Sequence, residues 1–302
     1  MARTGSIIAA WVIGIVSWLP SAAQDSAKHS TEVASSSPAR PSLFGTLARD
    51  LPALDTLSQR YPSHPLLGVL RFAEPRDAYV RNKIRDYTCT LIKRERIDGE
   101  LQARQSMLLK VRHAQLKDGA TVHPFAVFVR FLEPQKIADR RVVFVAGQNN
   151  GKMLVRNGGR GLRGAIVRVE PDGDAALREN LLPITEAGFD TVIRSLINQV
   201  RHDIQADPRG ENTEVSFFRN ARVNGRSCSH VRVVHPHPDA KLGFHLANVY
   251  VDDQLNVPVR VEVYQWPGEG EQQPRLMGEY TYVNVELNKG LSDEDFTREK
   301  LR

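Results

Sequence analysis

Four histidines, His230, His235, His237 and His245, fall within one short stretch of the chain. Imidazoles in such density are candidate metal ligands or proton carriers. Pro236 and Pro238 favour an extended backbone, which would set His235 and His237 on one side. No carboxylate or cysteine stands at a familiar ligand spacing from them, so the stretch reads as a polar link between strands. Asp172-Gly173-Asp174 lacks the remaining ligands of a calcium loop and reads as a turn. Gly159-Arg160-Gly161-Leu162-Arg163-Gly164 matches the dinucleotide fingerprint letter for letter. That motif works between a strand and a helix N-terminus, however, and here a strand follows. Gly147 to Lys152 is one spacer residue short of a phosphate loop and has Met153 where Ser or Thr would be needed. The sequences G-x-S-x-G, S-x-x-K and H-E-x-x-H are all absent. No catalytic residue, metal or cofactor is assigned on these signals.

Cys89 and Cys228 are the only cysteines, and both lie inside predicted strands. Two readings stand for them, a disulfide or a pair of small buried hydrophobes. A strand-interior Cys89 beside Tyr87 and Leu91 makes a poor nucleophile.

The elements that would carry these residues begin after an apolar leader. Arg3, the run Ile7 to Leu19 and Ser21-Ala22-Ala23 have the three parts of a secretory signal, expected to be removed as residues 1–23. An uncleaved anchor is the alternative, though the run is short for a span. Residues 24–42 are rich in Ser, Ala and Pro without apolar period, as in a disordered tether. Residues 43–302 are expected to form a single domain, with a helical lead-in over 43–85 that breaks near Pro75. The remainder, 86–302, holds the sheet and one further helix.

That helix is the clearest element. Phe189, Val192, Ile193, Leu196, Ile197, Val200 and Ile204 make one wide apolar stripe. About eleven strands surround it in sequence, mostly joined by short polar links, so neighbours should be antiparallel. Phe125, Val127, Val129 and Phe131 share one strand face, and Val257, Val259, Val261 and Val263 share another. The fold class is therefore α+β, mainly antiparallel β. The expected architecture is a curved half-barrel covered by N-terminal helices and the central amphipathic helix. Incomplete filling beneath that cover would leave an apolar pocket for an acyl chain. Its candidate lining is Phe125, Val127, Val129, Phe131, Val259, Val261, Val263, Val192 and Leu196.

The stretch Asp86 to Leu101, DYTCTLIKRERIDGEL, starts apolar and turns to charge before an Asp98-Gly99 hairpin signal. Pairing across a two-residue turn sets Cys89 opposite Leu108 and Lys93 opposite Arg104. On that register Lys93-Arg94-Glu95-Arg96 projects past the sheet into water as an exposed lip.

Formal net charge is +6, and Arg supplies 31 of the 41 basic residues. No basic stripe interleaved with aromatics appears, so nucleic acid is set aside as a partner. An exported basic protein meets lipid, polysaccharide or acidic protein instead.

The order of parts resembles the lipoprotein-carrier fold of the LolA/LolB type, also used by the periplasmic sensor domain of the sigma-E regulator. The segments carrying this are IRDYTCTLIKRERIDGELQARQSMLLKVRH, VVFVAGQNNGKMLVRN, GFDTVIRSLINQV and VYVDDQLNVPVRVEVYQW. DYTCTLIKRER, FLEP and YTYVNVELNKGL also resemble an uncharacterised exported family, domain of unknown function 1571, found mainly in planctomycetes. The carrier resemblance implies a lipid or an acylated protein as ligand. It also implies a lid-securing basic residue, for which Arg112 is the candidate, although His113 replaces the usual Pro. The expectation is a periplasmic or secreted monomer that binds an apolar ligand without covalent chemistry. Its alternatives are a sensor or scaffold binding envelope proteins, or an enzyme on envelope polymers that depends on His235 or His237. N-terminal sequencing of the exported protein should begin at Gln24; a chain still starting at Met1 would contradict cleavage.

Overall fold

The structure is a computed structural model that describes residues 51–158 and 164–302. The leader, the tether and residues 159–163 of the glycine-rich run lie outside the described residues.

Chain order begins with α1 (Leu54–Arg60) and α2 (Leu67–Lys83). α2 continues through Pro75 rather than breaking there, and the Arg76 guanidinium bonds the Phe72 carbonyl one turn back at 2.6 Å. Strands β1 (Asp86–Ile97), β2 (Glu100–Leu101) and β3 (Gln105–Arg112) follow. After β3 comes a small two-stranded ribbon, β4 (Gln115–Lys117) with β5 (Ala120–His123). Next come β6 (Ala126–Glu133), β7 (Arg141–Val145), β8 (Met153–Arg156) and β9 (Ile166–Val169). Two helices interrupt, the single turn α3 (Asp174–Leu177) and the long α4 (Phe189–Ala206). The chain closes with β10 (Glu214–Val223), β11 (Arg226–Val234), β12 (Leu246–Asp252), β13 (Pro258–Gln265) and β14 (Arg275–Leu287).

Twelve strands form one antiparallel sheet in the order β10-β11-β12-β13-β14-β1-β3-β6-β7-β8-β9, with β2 attached to β1. β10 and β9 are its two edges, so the half-barrel stays open. β1 is the seam. It pairs with β3 on one side and with the last strand, β14, on the other. Two meanders laid down before and after α4 are thereby joined at the centre of the sheet.

The β1 hairpin departs from the two-residue-turn register. Ile97 faces Glu100 and Arg96 faces Leu101 as that turn requires. Beyond Gln102, Cys89 faces Leu109 and Lys93 faces Gln105, one position out of step. An extra residue is absorbed between β2 and β3, where the Gln102 amide donates to the Glu95 carbonyl at 2.8 Å. Such bulges re-aim side chains.

Alternation sorts the core onto two faces. The inner face carries Tyr87, Leu109, Val127, Val129 and Val257 to Val263, covered by α1, α2 and α4. The stripe of α4 delivers Phe189, Val192, Ile193, Ile197, Val200 and Ile204 to this core. On the outer face Ala126, Val143, Val145 and Leu154 form a second, smaller cluster. It is covered by Phe296 and Leu301 from two terminal 3₁₀ turns, Asp293–Phe296 and Arg298–Leu301. This C-terminal strap has no sequence periodicity. A Phe296→Ala variant should lose about 3 kcal/mol of unfolding free energy, the usual cost of deleting a buried ring. Urea denaturation reads that loss, and an unchanged midpoint would show that the strap contributes nothing.

Candidate functional site

Inside the half-barrel the core is not filled. A cavity of about 280 Å³ lies between the inner face of β1, β3, β6, β7 and β8 and the segment 171–187, with Val192 of α4. Native interiors pack with few voids larger than a water molecule, so a space of this size under a lid is a candidate ligand site. Leu91, Leu109, Val129, Val142 and Val261 supply its apolar wall.

Its polar end comes from β1. Lys93 and Glu95, only 7% and 4% exposed, face inward on the same side as Leu91. The Lys93 ammonium donates to Glu95 Oε2 at 2.5 Å and to Asn180 Oδ1 at 2.7 Å. The Tyr280 hydroxyl donates to Glu95 Oε1 at 2.6 Å. Burial pushes the Tyr280 hydroxyl well above its ordinary pKa, and the Glu95 charge pushes it further. Glu186 also lines the cavity, and burial raises its carboxyl. Arg140 reaches Glu179 at 2.5 Å on the same wall. The exposed lip expected for Lys93 to Arg96 is thus corrected. β14 runs beside β1 as far as the Glu95–Gly278 pair, so the strand never leaves the sheet, and its odd-numbered side chains keep pointing inward.

The cover is pinned at both ends. The Tyr87 hydroxyl donates to the Ala187 carbonyl at 2.8 Å, and its ring stacks on Phe189 with centroids 4.2 Å apart. His113 Nε2 approaches Asp190 at 3.4 Å while its Nδ1 lies 3.1 Å from the Ile84 carbonyl. At the far end of α4, His235 Nε2 lies 3.5 Å from Asp203, and both side chains are buried.

Four of the candidate lining residues, Val129, Phe131, Val261 and Val192, border this cavity. Val263 and Leu196 border a second, smaller one of about 80 Å³ between α2, α4 and β11 to β13. Phe125, Val127 and Val259 border neither and pack into the main core. Arg112 does not reach the lid. One residue out of phase with His113, it is 1% exposed on the outer face. There it bonds Asp293 at 2.7 Å and sits 5.1 Å from the Phe296 ring centre, holding the strap. Its neighbour His113 is the one that touches α4.

The cysteines are separate buried thiols. Cys89 on β1 and Cys228 on β11 stand four strand positions apart, about 19 Å at the usual spacing and far beyond a disulfide's reach. Burial raises both thiols, Cys228 to about 11, which disfavours the thiolate. The histidines are tied locally. His235 Nδ1 lies 2.9 Å from the Asn212 carbonyl, His245 Nδ1 lies 2.9 Å from the His235 carbonyl, and His230 stacks on Tyr250. Among the described residues no group of three or more potential ligands could hold a metal ion.

Sequence reasoning missed Leu91, Leu109 and Val142 of the apolar wall and, at the polar end, Lys93, Glu95, Asn180, Glu186 and Tyr280. Of the polar residues, only the two on β1 left a local signal, the period-2 alternation running on from Tyr87, Cys89 and Leu91.

A family model described as a protein of unknown function, DUF1571, matches residues 84–300. No curated protein matches the chain. Similar solved structures include a DUF1329 family protein from Desulfovibrio piger, 12% identical over 80% of this chain and 100% of that one, with a TM-score of 0.37. A putative outer membrane lipoprotein-sorting protein domain from Vibrio parahaemolyticus is 14% identical over 77% and 97%, with a TM-score of 0.33. A LolA superfamily protein from Nitrosomonas europaea is 11% identical over 76% and 97%, with a TM-score of 0.30.

The buried pair makes a stability prediction. Glu95→Ala leaves the Lys93 charge unpaired and should cost about 3–5 kcal/mol, whereas Lys93→Met combined with Glu95→Leu should recover most of that. Urea midpoints of the two variants decide it; equal, small losses in both would mean the pair is solvated.

Proposed function

This chain belongs to the DUF1571 family, and we propose that it is an exported binding protein that holds a lipid or an acylated protein's chain, without covalent chemistry. One observation carries the reading: an apolar cavity of about 280 Å³ left open beneath a helix and loop cover. Val129, Phe131, Val261 and Val192 would contact the chain there. Val263 and Leu196 at the smaller cavity offer a second apolar space one turn further along α4. Burying a chain yields about 0.8 kcal/mol per methylene, or roughly 8 kcal/mol for ten before ordering costs. No helix of the described residues is long and apolar enough to cross a membrane. Export rests on the leader's sequence alone.

A sensor or scaffold role is favoured by a different surface. Phe217 and Phe218 on the edge strand β10 are each about half exposed, and an unpaired edge with aromatic side chains suits a partner's strand. Of the two residues nominated by the enzyme reading, His235 is enclosed among Asn212, Thr213 and Asp203, whereas His237 is exposed.

Native mass spectrometry of protein exported by cells and purified without detergent should show an apolar adduct. Val155→Trp, at the half-buried rim, should lower dodecanol affinity about tenfold, the scale of a 1–3 kcal/mol overpacking penalty. Adduct-free protein that also fails to bind dodecanol would contradict the carrier reading.

A further inference from the structure

The charges lining the large cavity do not balance. Two cations face it, Lys93 and Arg140, and three carboxylates, Glu95, Glu179 and Glu186. Each cation already holds a carboxylate, Lys93 with Glu95 and Arg140 with Glu179, both at 2.5 Å. The Arg140 guanidinium is further engaged over the Phe131 ring, 5.8 Å from its centre. Glu186 is left over. It is the last residue of the short 3₁₀ turn Ile184–Glu186 before α4, and no cation of the described residues pairs with it.

Its position adds to the imbalance. Glu95 bonds the Tyr280 hydroxyl, the point around which the polar end is built, and the Glu186 charge adds a weaker electrostatic effect there. Lys93 neutralises the Glu95 side of that point and is itself held by Asn180. Burial raises the carboxyl of the half-buried Glu186, and no ion pair among the described residues offsets it. An uncompensated carboxylate beside an apolar wall is costly, and a cation arriving with a ligand would remove that cost.

We propose that the cavity takes a single-chain amphiphile with a protonated amine head, seated head-inward with its ammonium at Glu186 and its chain along Leu109, Val129 and Val142. This rests on the cavity being the ligand site and adds the chemistry of the head. A carboxylate head would meet an excess of like charge. An alcohol would keep the chain's burial but forgo the ion pair.

The test compares dodecylamine, dodecanol and dodecanoate by isothermal titration calorimetry at neutral pH and low salt, on the full exported protein and on Glu186→Gln. The amine should bind about tenfold tighter than the alcohol, the lower end of what a charge-assisted hydrogen bond supplies. Dodecanoate should be the weakest. Glu186→Gln should erase the gap between amine and alcohol. Dodecanoate binding as tightly as the amine would overturn the assignment, as would an amine advantage that survives Glu186→Gln. If none of the three binds, the chain-binding reading itself fails, and this inference with it.

Discussion

The inward pairing of Lys93 with Glu95 on the central strand is the interaction on which the site depends. β1 pairs with a strand of each meander, so whatever its inner face carries lies at the middle of the concave surface. For two charged residues to remain there, each must be the other's counter-ion, and their remaining bonds must be met. Asn180 and Tyr280 meet them from the loop cover and from β14. The pair thereby fastens the cover, the seam and the last strand to one point, and it gives an otherwise apolar cavity a polar end. Buried pairs of this kind contribute little net stability, and losing one member is expensive.

The two faces of the sheet divide the labour. The inner face builds the cavity and receives α4, whose start is fixed by Tyr87, Phe189 and His113. The outer face is closed by the C-terminal strap through Arg112, Phe296 and Leu301. Arg112 and His113 are adjacent in sequence yet serve opposite faces, because successive side chains in a strand point opposite ways. A single-residue shift in reading this pair moves a functional role from the lid to the strap.

Much of the architecture was legible in local patterns. The runs Phe125 to Phe131 and Val257 to Val263 marked inner strand faces, and the stripe from Phe189 to Ile204 marked the covering helix. What escaped depended on contacts distant in sequence. Lys93 and Glu95 read as solvent-exposed because their partners Asn180 and Tyr280 lie 87 and 185 residues away. The register of the first hairpin slipped because the bulge after Leu101 follows from tertiary packing, not from the Asp98-Gly99 turn. The strap was invisible because short 3₁₀ turns carry no periodicity. Glu186 could not be singled out at all, since an unpaired charge is defined only by the cavity around it.

The central claim is that the space between the sheet and segment 171–187 is a ligand site rather than a packing defect. A crystal structure of protein exported by cells and purified without detergent tests it most directly. The account predicts elongated density lying along Leu109, Val129 and Val142 and ending near Glu186. Density showing the side chains of segment 171–187 collapsed into that space, with no room left, would contradict it.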